Sequence, residues 1–180
     1  MLTPAIFQVI PLYPMYPLVE RSQLYELYTK SEVRQGQGFP LETDRIKTAN
    51  ESIYAYISTK DSDKLTVRKE RYGELNIFGQ VSYFENAVHD FNGSATGIYL
   101  GYELRNLFLT VKFATNFYKN LGYWGVVRLI LKVENCRGVK LISPHDGPGR
   151  ADELAIMELD SDINIQREYV TAELNDSPED

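Results

Sequence analysis

Cysteine and histidine are scarce in this 180-residue chain, which contains only Cys136, His89 and His145. A single cysteine excludes a disulfide within the chain, and the three residues show no metal-ligand spacing. We therefore predict no metal site and no cofactor. Cys136 follows the apolar run of residues 126–133, which predicts a buried thiol rather than a nucleophile.

Charge is absent from residues 1–19, so the basic region that opens a signal peptide is missing. Four prolines, at positions 4, 11, 14 and 17, interrupt a segment that would need about 20 apolar residues to cross a membrane. We predict a cytoplasmic protein without membrane contact. Proline at every third position from 11 to 17 predicts an extended connector, or alternatively a ligand for an aromatic groove.

An excess of basic charge is also missing, since the net charge is −6. Residues 1–150 hold 18 basic and 15 acidic side chains, whereas residues 151–180 hold one and ten. This balance argues against a general nucleic-acid binder. One basic and aromatic cluster remains a candidate nucleic-acid face, with an ordinary exposed hairpin as the favoured alternative. Its residues are Tyr54, Tyr56, Lys64, Arg68, Lys69 and Arg71.

The apolar patterns predict an α+β fold with an antiparallel or mixed sheet of six or more strands. Helical spacing over about 98–121, ended by Gly122, predicts one long helix whose stripe from Leu104 to Val111 faces the core. A shorter helix is predicted over about 20–33. We predict one domain over residues 1–172, followed by a frayed acidic tail over 173–180.

Strand patterns occupy most of the remaining chain. We predict strands at 5–10, 52–58, 65–69, 75–84, 125–133, 139–142, 153–159 and 163–172. A bend is expected at Tyr72-Gly73 and a loop over 86–97, and the strands at 125–133 and 139–142 are expected to form a hairpin.

No catalytic pattern is recognisable. His89-Asp90 and His145-Asp146 place a carboxylate beside an imidazole, but catalytic dyads are defined in space rather than by adjacency. The glycines of 36–38 and 146–150 lack the pattern of a phosphate-binding loop. We therefore predict a protein that is not an enzyme, although an unrecognised catalytic site stays open.

A series of short motifs resembles a known family. Gly38-Phe39-Pro40 follows the first helix, Tyr83-Phe84 ends a strand, and Phe117-Tyr118 ends the long helix before an apolar strand leading into 135–141. This order resembles the C-terminal region of bacterial Schlafen/AlbA-type DNA-binding proteins over most of residues 20–142. The resemblance implies an accessory domain of a DNA-associated system and transfers no catalytic residue.

These observations favour an interaction domain that binds itself, as a possible homodimer, or binds a partner protein. The excess of tyrosine, 13 residues in all, and the apolar Pro-Tyr segment support this hypothesis. The alternative is a nucleic-acid-binding accessory module that uses the face at 54–72.

Overall fold

The computed structural model of the chain describes residues 2–33, 45–59, 69–90, 96–142 and 155–176. These residues form two sheets and three helices. The large sheet is antiparallel throughout and has seven strands. In sheet order they are β11 (Ile163–Val170), β8 (Val126–Val133), β1 (Pro4–Pro11), β5 (Val81–Asn86), β4 (Lys69–Asn76), β3 (Ser52–Thr59) and β2 (Lys47–Thr48).

The smaller sheet has four strands and is mixed, because one of its pairings is parallel. In sheet order they are β10 (Ala155–Glu158), β9 (Lys140–Ile142), β7 (Thr96–Tyr99) and β6 (Val88–Asp90). The predicted α+β class, with a sheet of at least six strands, is confirmed.

The long helix α2 (Leu100–Leu121) confirms the main helix prediction. Gly122 ends it in the left-handed conformation at φ 73°, and the N–H groups of Gly122 and Tyr123 donate to the last helical carbonyls. The shorter helix α1 (Arg21–Ser31) lies within the range predicted for it. A third helix, α3 (Thr171–Asp176), was not predicted.

The core lies between the large sheet and helices α1 and α2. Along β1, side chains alternate, so that Phe7 and Val9 are fully buried while Ile6, Gln8 and Ile10 point to the other face and stay partly exposed. The buried aromatic rings of α1 and α2 pack on the covered face, and full burial of each large side chain contributes roughly 1.5–3 kcal/mol. The opposite face is called the open face below.

The predicted apolar stripe of α2 is partly wrong. Leu104 is 53% exposed, whereas Glu103, Asn106 and Thr110 lie on the buried side of the helix. Val111 is buried as predicted. The first turns of α2 therefore bury polar residues, for which apolar periodicity gives no signal.

Several strand predictions are also corrected. Gly73 lies in the middle of β4 rather than at a bend, because that strand pairs on both sides. The predicted strand 75–84 is divided by a turn, in which the Asn76 side chain accepts hydrogen bonds from the N–H groups of Phe78 and Gln80. Gly79 completes the turn at φ 79°. Strands β6 and β7 occupy the ends of the predicted loop at 86–97.

The predicted hairpin between 125–133 and 139–142 does not form, because β9 joins the smaller sheet. There it lies against β7 at Gly97, where a Cβ atom would approach the Lys140 carbonyl oxygen to 2.6 Å. The start of the predicted tail is helical as well, since residues 173–176 belong to α3 and Leu174 is buried. Most of the predicted strand at 65–69 lies outside the described residues.

Candidate functional site

Large apolar side chains are exposed at one end of the large sheet, where β1 and β11 end and β8 begins. They form a set that we call the end patch, made of Tyr13, Met15, Tyr16, Trp124, Val126 and Val170. Its four largest members are between 64 and 88% exposed. Val126 and Val170 lie opposite each other in the β8–β11 register, and the N–H of Leu12 donates to the Val126 carbonyl at 2.8 Å. The patch therefore lies along one end of the sheet.

A well-anchored segment presents three of these side chains. Residues 12–17, the strap, are held at one end by the Leu12–Val126 hydrogen bond. Just beyond the other end, the N–H of Leu18 donates to the Ile77 carbonyl at 2.9 Å. Within the strap, Tyr13 adopts φ 62°, a left-handed conformation that costs a residue with a side chain roughly 1–2 kcal/mol. The backbone that carries these exposed side chains is thus constrained, unlike the backbone of a frayed terminus.

At the opposite end of β1, two glutamates are buried together. Glu85 comes from the end of β5 and Glu103 from the first turn of α2. The Glu85 carboxylate accepts hydrogen bonds from the Tyr83 hydroxyl at 3.0 Å and from the Asn106 amide, and it lies 3.6 Å from Arg71 Nε. Glu103 is only 6% exposed, and neither of its carboxyl oxygens has a hydrogen-bond partner among the described residues.

Burial changes the proton affinity of this pair. It raises the pKa of Glu103 to about 8, and the neighbouring Glu85 charge adds to the effect. Burial also raises the pKa of Glu85, while Arg71 and the hydrogen bonds from Tyr83 and Asn106 act in the opposite direction. At neutral pH, Glu103 is therefore mostly protonated unless a cation lies beside it.

His89 of β6 brings an imidazole to the same place. One ligand atom from each of Glu85, His89 and Glu103 lies within 4.8 Å of the other two. The imidazole of His89 stacks on Tyr102 with ring centroids 5.4 Å apart and meets the edge of Tyr99 at 6.4 Å. Two carboxylates and an imidazole could hold a divalent metal ion, and we call the three the carboxylate–histidine cluster.

Sequence reasoning missed this cluster although it considered His89. The side chain of Asp90 and the whole of His145-Asp146 lie outside the described residues. Glu85 and Glu103 are 18 positions apart and come from a strand and a helix. The only available signal was the departure of Glu103 from the apolar pattern of α2, which a solvent-facing position explains equally well.

The predicted nucleic-acid face is only partly assembled. Tyr54, Tyr56 and Tyr72 do share the open face, and the rings of Tyr54 and Tyr72 have centroids 6.1 Å apart. Arg71 instead points to the covered face, toward Glu85, and the Tyr72 hydroxyl donates to the Glu74 carboxylate at 2.7 Å. Burial raises the pKa of Tyr72, and Glu74 adds to the shift.

The structure does not describe the side chains of the remaining predicted members of that face. Lys64 and Arg68 lie outside the described residues, as does the side chain of Lys69. On the described part of the open face, the tilted Tyr54–Tyr72 ring pair lies beside the Glu74 carboxylate, and Lys47 is the cation opposite Tyr54 in the β2–β3 register.

Cys136 is buried, as predicted. Its thiol donates to the Ser161 carbonyl at 3.3 Å, and the Cys136 N–H donates to the Asp162 carboxylate at 3.1 Å. Burial raises the pKa of the Cys136 thiol, and the nearby Asp162 charge adds to that shift. The thiol is thereby less reactive than an exposed one.

Among the described helices, none combines the length and the apolar character needed to span a bilayer. Comparisons with protein-family models, with curated proteins and with solved structures give no match to this chain. The resemblance to the Schlafen/AlbA-associated region therefore stays a prediction from the motifs quoted above.

Proposed function

We propose that this chain is a non-enzymatic interaction domain that associates with a second copy of itself through the end patch. The observation that supports this proposal is the exposure of Tyr13, Met15, Tyr16 and Trp124 along one end of the sheet. Tyr, Trp and Met are enriched in the buried centres of protein interfaces, and truncation of such residues often costs 2 kcal/mol or more of binding energy, roughly a thirtyfold loss of affinity.

The distribution of charge supports a second copy of the chain as the partner that covers the end patch. A two-fold interface brings residues near its axis close to their own copies, so a charge there meets a like charge. Residues 1–19 and 121–127, which supply most of the end patch, contain no charged side chain. The chain as a whole carries −6, so other surfaces of two copies repel each other. Most of the end patch is therefore free of charged side chains, and at its Val170 edge the Glu173 carboxylate accepts a hydrogen bond from the Val170 N–H at 3.1 Å.

The anchored strap supports the same proposal. A segment fixed by the Leu12 and Leu18 hydrogen bonds loses little conformational freedom when a partner covers it. The prolines at 14 and 17 restrict the backbone further. Association then retains more of the favourable free energy of burying apolar surface, about 25 cal/mol per Å².

A role for this domain in a DNA-associated bacterial system is part of the proposal. It depends on the motif resemblance over residues 20–142. Within such a system, a self-associating accessory domain brings two copies of an attached or bound protein together. That arrangement raises avidity for any target that both copies can reach.

Sedimentation equilibrium tests the self-association directly. At high concentration the wild-type chain is expected at twice its 20.7 kDa mass, and Tyr16→Ser and Trp124→Ala should each weaken dimerisation about tenfold or more. Tyr56→Ser removes another exposed tyrosine, on β3, and should leave the dimer intact. A monomer at every concentration, or equal losses in the Tyr16 and Tyr56 variants, would contradict the proposal.

The open face gives a second candidate function, single-stranded nucleic-acid binding. Its supporting observation is the group of three tyrosines that includes the Tyr54–Tyr72 ring pair, since bases stack on aromatic side chains. We rank it second because Arg71 is paired with Glu85 on the covered face. Fluorescence anisotropy with labelled single strands should show no binding near physiological salt. Tight, salt-sensitive binding that Tyr54→Ala abolishes would reverse the ranking.

A further inference from the structure

We propose that Glu85, His89 and Glu103 form a binding site for a first-row divalent metal ion, with Zn²⁺ and Mn²⁺ as the probes that test it. The site is at the opposite end of β1 from the end patch and does not depend on self-association. This inference reverses our prediction from sequence that the chain has no metal site. It arises because the fold brings together three groups that are far apart in the chain.

The position of Glu103 is the main argument. A buried carboxyl group is expected to have hydrogen-bond partners or a neighbouring cation, since burial without either is unfavourable. Both oxygens of Glu103 are buried, and neither has a hydrogen-bond partner among the described residues. The charge that acts on it is that of Glu85, which has the same sign. A metal ion between the two carboxylates would supply the missing cation and satisfy both groups.

The spacing of the ligand atoms fits a metal site that is close to its final geometry. The three atoms lie within 4.8 Å of one another. Zinc bonds of about 2.0–2.2 Å in a tetrahedral arrangement separate ligand atoms by roughly 3.5 Å. Rotation of the two glutamate side chains on metal binding would close the difference. Further positions on the ion would be filled by water, because His89 is only half-buried and links the cluster to the surface.

The chemistry of the donors indicates which ions should bind. Imidazole nitrogen favours Zn²⁺ and other first-row ions, while carboxylates also suit Mn²⁺. Mg²⁺ and Ca²⁺ prefer oxygen ligands throughout, so the His89 nitrogen counts against them. Arg71 and Arg105 offset part of the negative charge of Glu85. The site therefore combines one neutral ligand, His89, with two carboxylates around a single divalent ion. It has little excess negative charge to attract hard cations.

Neighbouring side chains hold the ligands in place. The Tyr83 hydroxyl and the Asn106 amide each donate a hydrogen bond to Glu85, and Tyr102 stacks on the His89 ring. Such surrounding contacts orient metal ligands in proteins and increase metal affinity. The ligands also come from three separate elements, β5, β6 and α2, whose relative positions the core fixes.

The test begins with protein stripped of metal by a chelator and then dialysed at pH 8. Titration with Zn²⁺ and with Mn²⁺ should show one ion per chain by calorimetry, and saturation should raise the unfolding temperature. Glu103→Gln should weaken Zn²⁺ binding at least about tenfold, as should His89→Gln. Glu51→Gln, which removes an exposed carboxylate in a turn, should bind like the wild type. Tyr16→Ser should also bind normally, which separates this proposal from self-association.

Glu103→Gln keeps the size of the side chain, so the metal-free variant is expected to fold, and a cooperative unfolding transition verifies this. The proposal is overturned if the wild type binds neither ion stoichiometrically. It is equally overturned if Zn²⁺ affinity and the metal-induced rise in unfolding temperature survive in both Glu103→Gln and His89→Gln. Loss of the response to Zn²⁺ in a Glu103→Gln variant that unfolds cooperatively supports it.

Discussion

The two ends of β1 carry opposite chemistry. Where β1 begins, its register places Ala5 beside Glu85, and the carboxylate–histidine cluster buries ionisable groups. Where it ends, Pro11 lies beside Val127 and the end patch exposes apolar groups. Helix α2 runs between the same two regions over 22 residues, or about 33 Å. Each end reverses the usual distribution of polar and apolar side chains, and each is where we locate a binding function.

The buried side of α2 changes along its length in the same way. Its first half buries Glu103, Asn106 and Thr110 as well as Leu109, and its second half buries Phe113 and Phe117. Burial of polar groups is therefore concentrated in the half that contributes to the carboxylate–histidine cluster. The following predictions test how different the two ends are.

The largest expected effect is at Glu103, in protein kept free of metal by a chelator. Its pKa of about 8 in the folded state exceeds the ordinary 4.5, so folding favours the protonated form. That stability is complete below about pH 4.5, declines as pH rises, and is lost by about pH 8. The total is at most about 5 kcal/mol. Urea denaturation between pH 5 and 9 should show that Glu103→Gln lacks most of this decline.

Glu85 must be considered in that experiment because its pKa is raised as well. Its own contribution to the pH dependence of stability remains in the Glu103→Gln variant. Parallel stability curves for wild type and Glu103→Gln would show that Glu103 is not an unpaired buried acid.

The middle of α2 should show the next largest effect. Phe113 is fully buried against Tyr28, with ring centroids 5.4 Å apart, so Phe113→Ala should cost about 3–5 kcal/mol. Leu104→Ala, on the same helix but 53% exposed, should cost less than about 1 kcal/mol. Chemical denaturation of both variants measures the contrast. Similar losses would mean that the described burial of α2 is wrong.

The sequence was sufficient for the parts of the fold that repeat a pattern. Apolar steps of three and four residues and a following glycine predicted α2, an apolar run ended by proline predicted β1, and a run of β-forming residues predicted β3. It was insufficient where pairing between distant strands decides the structure, as for Gly73 and for β9. Local preferences at such positions are weaker than the hydrogen bonds of the sheet.

Neither proposed binding region was predictable in full. The Pro-Tyr composition of the strap indicated Tyr13 and Tyr16 as interface residues. It gave no indication of Trp124, which only the β8–β1 pairing brings to the same end of the sheet. The carboxylate–histidine cluster was not predictable, because a glutamate that departs from the apolar pattern of a helix is ordinarily exposed. Glu103 is instead buried beside Glu85 of β5.

At the end-patch end of α2, the buried polar group should behave differently from Glu103. The Tyr118 hydroxyl donates to the Gly79 carbonyl at 2.9 Å and also lies 3.4 Å from the Val9 carbonyl. Burial raises the pKa of Tyr118 well above its usual value near 10, so it remains protonated. Tyr118→Phe should cost about 1–2 kcal/mol. Denaturation at pH 5 and pH 9 should give the same loss, and a loss that varies with pH would remove the contrast between the ends.

The smallest effect is expected in the strap and depends on backbone strain. Tyr13 holds φ 62° and is 88% exposed, so Tyr13→Gly removes little packing and relieves roughly 1–2 kcal/mol of strain. Glycine also makes the unfolded chain more flexible, and this lowers the free energy of unfolding by up to about 1 kcal/mol. Tyr16→Gly carries the same entropic cost without a positive φ to relieve.

Because the entropic cost is common to both variants, Tyr13→Gly should be more stable than Tyr16→Gly by roughly 1–2 kcal/mol. The two variants are compared by urea denaturation at protein concentrations below the dissociation constant of the dimer, because association would add to the measured stability. Both variants should lose dimerisation equally, since each removes one exposed ring of the end patch. If Tyr13→Gly were instead the less stable of the two, the tyrosine ring would be making contacts that stabilise the monomer. The end patch would then stabilise the folded monomer and would not be a surface available for binding a second copy.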